Sequence, residues 1–440
     1  MRRFPATVTI ITFFLIFTLT PVRGQISLER CQEKSRENFP TIKRLNLLDL
    51  SLNYSLSNIS KSYLPQLNLS LGASYQSDVT AIPQALSQIL SNISGESVTF
   101  PTIDKDQYQA LIEIRQTVWD GGSTTAKKGI EKAATQVERE RVEVELYTLK
   151  ERVANIFFAI IALQEQTKSI ELHSQLLSSS REELEALLKG GVVTSTALDL
   201  IEIEEIKLEQ ARVRVESDLE SFYKMLAIIT GDKEVVGQEL EKPLYLLKSR
   251  DRVGTLYSPL GSNRPELSLF RAQSNYLEWQ AKGVRSSTIP KMALFAQGGY
   301  GNPGLNMFNP GFTGYYILGA KISWNISSLY YNKNSLDKIK LNLRESELHR
   351  ESFLLERDIE NAQNQGEIRK LQSLLESDSK IVALQKRVVK AAQAKMANGT
   401  ISLPELIKEI NEYKSASLLK EMHEVELMMA LYRAHYINND

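Results

Sequence analysis

Two short segments alternate apolar and polar residues inside a chain that otherwise reads as long helix, and the two resemble each other. In SYLPQLNLSLGASY, Leu67, Leu69, Leu71, Ala73 and Tyr75 alternate with Asn68, Ser70, Gly72 and Ser74. A period of two marks a strand with one apolar and one polar face. STIPKMALFAQGGY, ending at Tyr300, is a near-copy. Pro65 and Pro290, Pro40 and Pro265, and Tyr75 and Tyr300 are each 225 residues apart. Further along, an offset of 208 relates Tyr108 to Tyr316, Ile114 to Ile322 and Gly191 to Gly399. One length difference of 17 residues (225 − 208) between Tyr75 and Tyr108 accounts for both offsets. The chain is therefore an internal duplication. The connecting loop is long in the first copy, Gln76 to Gln107, and short in the second, Gly301 to Tyr315.

Each copy follows one plan. A helix of about 25 residues ends at the proline, as spaced from Pro40 to Pro65, because proline disfavours helix in the residue before it. A strand, a loop and a second strand follow. In YQALIEIRQTVW, Tyr108, Ala110, Ile112, Ile114 and Val118 share a face broken only by Gln116, while Glu113 and Arg115 lie opposite. In YILGAKISWN, Tyr316, Leu318, Ala320, Ile322 and Trp324 share a face opposite Lys321 and Asn325. The 208 offset is even, so apolar face maps onto apolar face, as strand register demands.

A long helical stretch follows each strand pair. Apolar residues recur at 146, 149, 153, 156, 160, 163, 170 and 177, and the return has Ile201, Leu208, Val215, Phe222 and Ile229 at sevens. A seven-residue repeat imposes left-handed supercoiling. No proline interrupts Gly122 to Lys242, and Gly190 and Gly191 mark a hairpin tip, with Gly399 in that place in the second copy. Ser123 to Lys189 makes about 100 Å of helix at 1.5 Å per residue. SSSREE at Ser178–Glu183 has a capping-box pattern that would break it, but the heptad resumes at Leu184 and Leu187.

The expected organisation is a leader over 1–24, a first repeat over 25–230 and a connector over 231–263, then a second repeat over 264–440. The first repeat has strands near 66–76 and 108–118 and a helical hairpin over 123–230. The second has strands near 291–300 and 315–325 and a hairpin over 330–436. The leader reading rests on Arg2 and Arg3, the apolar run Val8 to Leu19, and the small residues Val22 and Gly24. That run is too short for a spanning helix. Without Arg2, Arg3 and Arg23, 50 basic residues face 53 acidic ones, a balance that gives no reason to expect nucleic acid. The one cysteine, Cys31, excludes an internal disulfide and thiol-rich metal sites. Glu29 and Arg30 before it are not the small residues of a lipidation site.

Strands of about ten residues match the length of a tilted membrane-spanning strand. In lipid every backbone polar group needs a partner, so such strands survive only in a closed barrel. The smallest barrels have about eight strands, so a chain with four implies an oligomer. A soluble helical protein with two edge hairpins is the competing reading. The sequence also admits a periplasmic coiled-coil adaptor or scaffold without a pore. Tyr108, Tyr316 and Trp324 are expected at the membrane interfaces, where aromatic girdles lie.

These residues resemble the TolC-like outer-membrane efflux factor family over nearly all of Ile26 to about Tyr436. The resemblance rests on YLPQLNLSLGASY and its partner, VWDGGSTTAKKG, GVVTSTALDLIEIE at the first tip, RPEL at Arg264–Leu267, and NGTISLPELI at the second tip. The chain departs from the family pattern at SSLY, Ser327 to Tyr330, which stands in place of Asp-Gly-Gly. It departs again at Ala197, where members often carry an acid; here Asp199 lies two residues on. The resemblance implies a mixed, mainly α fold: a homotrimer with a twelve-stranded transmembrane β-barrel continued by a periplasmic α-helical coiled-coil barrel. It implies a passive exit duct in the Gram-negative outer membrane, serving tripartite efflux or type I secretion of small molecules or proteins. An inner-membrane pump and a periplasmic adaptor would be its partners, the adaptor docking at the tips around Gly190, Gly191, Thr194, Gly399 and Ser402. A resting tunnel must be closed, so charges just past the tips, Asp199, Glu202, Glu405, Lys408 and Glu409, are candidates for the aperture.

Catalytic patterns are missing from the sequence. GGSTTAKKG has the residue types of a phosphate loop without their order. His173, His349, His423 and His435 show no ligand spacing. Neither an enzyme nor a cofactor or metal is expected.

Overall fold

Alternating segments become strands and heptad segments become helices in the computed structural model, which describes residues 26–100, 102–191, 193–248, 263–309 and 311–439. The leader read at 1–24 and positions 249–262 of the connector lie outside the described residues. The order is α1 Leu28–Asn38, α2 Lys43–Ser60, β1 Gln66–Tyr75, α3 Gln84–Ser94, β2 Asp106–Trp119, α4 Ser123–Lys189, α5 Ser195–Thr230 and α6 Leu244–Lys248. The second copy continues with α7 Pro265–Ser286, β3 Lys291–Asn302, β4 Thr313–Ser323, α8 Ser328–Ala397 and α9 Leu403–Asn438. The helix before each strand is shorter than the 25 residues expected, 18 in α2 and 22 in α7. Pro40 opens a 3-10 turn ahead of α2, and a second such turn, Lys61–Tyr63, closes it before Pro65. Helix α4 runs unbroken through Ser178–Glu183 for 67 residues. Helix α3, in the long loop, is an element that sequence reading missed.

Two compact units divide the chain, one within Met1–Asn38, Arg152–Asp251 and Ile368–Tyr432, the other within Phe39–Glu151, Arg252–Glu367 and Arg433–Asp440. The second unit holds a four-stranded antiparallel sheet in the order β1-β2-β3-β4. The duplication is visible in its hydrogen bonds. The Ser62 and Thr124 hydroxyls pair at 3.1 Å, and their counterparts Ser287 (62 + 225) and Asn332 (124 + 208) pair at 3.4 Å. At the head of α4, Asp120 accepts from the Gly122 amide at 3.0 Å, the Thr124 amide at 2.6 Å and the Tyr63 hydroxyl at 2.9 Å. Its counterpart is Ser328 (120 + 208), whose hydroxyl donates to the Asn325 carbonyl at 2.6 Å. In the second copy α8 begins at this residue, after a turn closed by the Ser328 amide on the Asn325 carbonyl at 3.2 Å. Helices α4 and α7 meet at Gly129, where a Cβ would stand 2.0 Å from the Trp279 ring, so only glycine permits that approach.

Arg264, from the RPEL segment, anchors the start of α7. Its guanidinium grips Glu266 with two bonds, 2.9 and 2.6 Å, and donates to the Tyr436 carbonyl at 3.2 Å. The rings of Tyr147, Tyr436 and Phe353 lie 4.7, 5.1 and 5.6 Å from it. A planar, always-charged fork that also stacks on rings suits such a place, which lysine could not fill.

The first unit is held by a seam through the two hairpins. Ile170, Leu177 and Leu184 of α4, Ile201, Leu208 and Val215 of α5, Val389 and Met396 of α8, and Leu406 and Ile410 of α9 are buried together. Beyond Val215 the strict seven fails. Tyr223, Leu226 and Thr230 are buried, whereas Phe222 and Ile229 are only half-buried. A straight helix drifts against a seven-residue repeat, and here α5 leaves the seam to pack on α1. Asn38 completes that contact by donating to the Ile228 and Ile229 carbonyls at 3.3 and 3.4 Å. Cys31 is buried in α1 and its thiol is pushed up to about 12 by burial, which leaves it unreactive.

Candidate functional site

The sheet has two faces of different character. Strand register places Leu69 opposite Ile112, Ile114 opposite Ala296, and Ala296 opposite Leu318, so apolar rows continue across all four strands. Among the described residues little covers these rows: Leu69 is 67% exposed and Leu318 70%. The other face is mixed, with Asn68, Ser70, Glu113, Arg115, Gln297 and Lys321 beside Leu111, Phe295 and Ile317. Glu113 pairs with Arg115 at 2.7 Å and accepts from the Gln297 amide at 3.0 Å. Among the described residues β1 pairs only with β2, and β4 only with β3. Each edge strand therefore presents a row of unpaired backbone groups, a template for another strand. No helix among the described residues is long and apolar enough to cross a membrane.

Aromatic residues gather at the two ends of this sheet. Tyr108 and Tyr300 stack against Phe312, with ring centroids at 6.2 and 5.6 Å, at the end bearing the loops. Tyr316 lies near that end of β4 and is 77% exposed. Trp324 lies one residue past β4, and its indole N–H donates to the Thr288 carbonyl at 2.9 Å. A β-bulge between Thr117 and Trp119 sets Trp119 opposite Met292, in the apolar row. The sequence pattern put only Val118 there; alternation cannot reveal a bulge.

The two hairpin tips differ in chemistry. Gly191 and Gly399 adopt positive φ, 69° and 67°, which glycine does without strain. At the second tip the Gly399 amide donates to the Met396 carbonyl and the Thr400 amide to the Lys395 carbonyl, both at 2.9 Å, a Schellman closure. Ser402 then precedes α9, and the Glu405 carboxylate accepts from its amide at 2.8 Å and its hydroxyl at 3.1 Å. These bonds, led by that from the backbone amide, hold the Glu405 carboxyl below the usual range. Position 405 corresponds to Ala197 (405 − 208), which is buried in the seam, and Thr194 at the head of α5 makes no side-chain cap. Gly190 donates to the Ala186 carbonyl at 3.1 Å.

Among the expected aperture charges, Glu405 is thus engaged as a helix cap. Glu202 lies 3.7 Å from Arg181, which also pairs with Glu205 at 3.0 Å. Asp199 and Lys408 are exposed, Glu409 is half-buried, and none of the three forms an ion pair within the chain among the described residues. No group of acidic, histidine and cysteine side chains able to hold a metal occurs among the described residues.

No family model and no curated protein matches the sequence. Solved structures do match the fold. The outer membrane protein VceC from Vibrio cholerae is 13% identical, with 92% of this chain and 95% of that one covered and a TM-score of 0.64. The outer membrane channel CmeC of Campylobacter jejuni is 14% identical over 93% and 85%, with a TM-score of 0.61. The MtrE outer membrane channel of Neisseria gonorrhoeae, in its open state, is 15% identical over 93% and 88%, also at 0.61. At such identities the likeness establishes the architecture, mainly helical with a small antiparallel sheet, across nearly the whole chain.

Proposed function

We propose that this chain, which carries the fold of outer-membrane channels, is one subunit of a TolC-like exit duct in a Gram-negative outer membrane. The sheet carries the reading: one bare apolar face, one mixed face and two open edges. Joining β4 of one chain to β1 of the next removes the edges, and three chains close a twelve-stranded barrel (3 × 4), within the range of known membrane barrels. The apolar rows then meet lipid, and the row holding Glu113, Arg115 and Lys321 lines the water-filled bore. The helical hairpins continue the bore as a periplasmic tunnel. A coiled-coil scaffold without a pore would have no use for an uncovered apolar sheet face.

In this reading a periplasmic adaptor docks at the tips, at Gly190, Gly191, Thr194, Gly399 and Ser402, and an inner-membrane pump supplies the energy. The conduit itself performs no reaction. Asp199, Glu202, Glu405, Lys408 and Glu409 are the charges proposed for the resting aperture, where three-fold symmetry would turn each into a ring, with Asp199, Lys408 and Glu409 the three not engaged within the chain among the described residues. Tyr108, Tyr316 and Trp324, with Tyr300 and Trp119, form the two girdles. Membrane fractionation and mass measurement in mild detergent test the assembly. The expected result is an outer-membrane protein with the mass of three chains; a soluble periplasmic monomer would sink the proposal.

A further inference from the structure

Within the first unit, α4, α8 and α9 line a half-open cavity of about 600 Å³, a size that suits drug-sized ligands. Leu172 and Leu176 of α4 and Val382 and Val389 of α8 give it apolar walls. His173 lines it as well, only 3% exposed, with Tyr413 edge-on at 6.2 Å between ring centroids. The His173 Nδ1 atom is buried without a hydrogen-bond partner. Native proteins leave few buried polar atoms in that condition, because water's hydrogen bonds are lost with no replacement. Burial, helped by the nearby Lys414 charge, lowers the ring to about 4, so at neutral pH it is an uncharged imidazole with one donor and one acceptor.

The charges on the lining are unequally used. Glu165 pairs with Lys168 at 3.3 Å and with Lys242 at 3.1 Å, and Lys242 also lies 3.9 Å from Glu421. Lys386, Lys390 and Lys420 line the same cavity and form no ion pair among the described residues. The uncompensated charge is therefore positive and stands beside apolar walls and an unmet polar atom. We propose that this cavity binds an amphiphilic organic anion. Its apolar body packs on Leu172, Leu176 and Val389, its acidic head lies among Lys386, Lys390 and Lys420, and a polar atom of the ligand meets His173. The site is built from one chain and does not depend on the chain forming a conduit.

Three dansyl probes with one aromatic body test this: dansylglycine as the anion, dansylamide as the neutral form and dansylcadaverine as the cation. Each is titrated by fluorescence into the mature full-length protein in lipid nanodiscs, with empty nanodiscs subtracted. Dansylglycine should bind roughly tenfold tighter than either other probe, as charge-assisted bonds predict. Lys386→Gln with Lys390→Gln, both at exposed positions, should remove most of that preference and leave dansylamide binding unchanged. His173→Phe should weaken all probes, with particle mass retained. Equal affinity for the three probes, full dansylglycine binding by the lysine double variant, or no saturable signal up to about 1 mM would overturn the assignment.

Discussion

Asp120 shows how much of this fold hangs on single side chains. Its carboxylate serves two amides and the Tyr63 hydroxyl where β2 hands over to α4. Burial alone would raise its pKa, but the bonds from Thr124, Tyr63 and Gly122 outweigh burial and the carboxyl is lowered. The sign follows: stability from these bonds is complete above the ordinary aspartate range and is lost as pH falls through the depressed native value. Asp120→Ala leaves those donors unpaired and should cost about 2 kcal/mol, read by denaturant titration in detergent at pH 7. The difference from wild type should shrink in acid below the ordinary aspartate pKa; a gap that holds constant there would show that the carboxylate charge is irrelevant. Asp120 stands out in the sequence within its Asp-Gly-Gly turn, and SSLY is a genuine departure, since Ser328 donates to the Asn325 and Ser287 carbonyls instead of accepting from helix amides. Glu405 is the reverse case. The spacing Ser402-Leu403-Pro404-Glu405 is a readable capping pattern, yet its charge and position beside a tip pointed to a gate. Asp199→Asn, not a change at Glu405, is therefore the cleaner aperture test. It should lower cation selectivity, and unchanged reversal potentials would move the constriction elsewhere.

Strands and hairpins were legible because each is written in a local period: two for the strands, seven for the seam. What the sequence hid depended on partners. The bulge that brings Trp119 into the apolar row is a feature of pairing with β3. The shift of the α5 stripe to Tyr223, Leu226 and Thr230 is set by α1. Helix α3 could have been found, since Leu86, Ile89, Leu90 and Ile93 fall at helical spacing after Pro83. The cavity around His173 could not, because three helices distant in sequence build it. The face assignment of the sheet has a direct test. Leu69 points to the apolar row and Ser70 to the polar one. Leu69→Arg should destabilise the folded barrel by roughly 2–4 kcal/mol, as charges near the bilayer midplane do, while Ser70→Arg should be tolerated. Equal losses, read by refolding into liposomes, would reverse or dissolve the two-face reading.

At the level of the whole molecule, the duplication explains why a chain this long needs company. Two copies of one plan supply four strands, too few to close a barrel of about eight or more, with both edges open and one face bare. Nothing among the described residues resolves that, and the proposed three-fold assembly would resolve every part of it at once: edges would pair, apolar rows would meet lipid and polar rows would meet water. The proposed assembly encloses a continuous water-filled path, which single-channel recording of the purified protein in a planar lipid bilayer would detect. Discrete conductance steps are expected, abolished by Leu69→Arg and altered in size by Ser70→Arg. Protein that inserts as a trimer yet passes no current, with the periplasmic aperture opened by removing charges at Asp199 and Glu409, would contradict a continuous path.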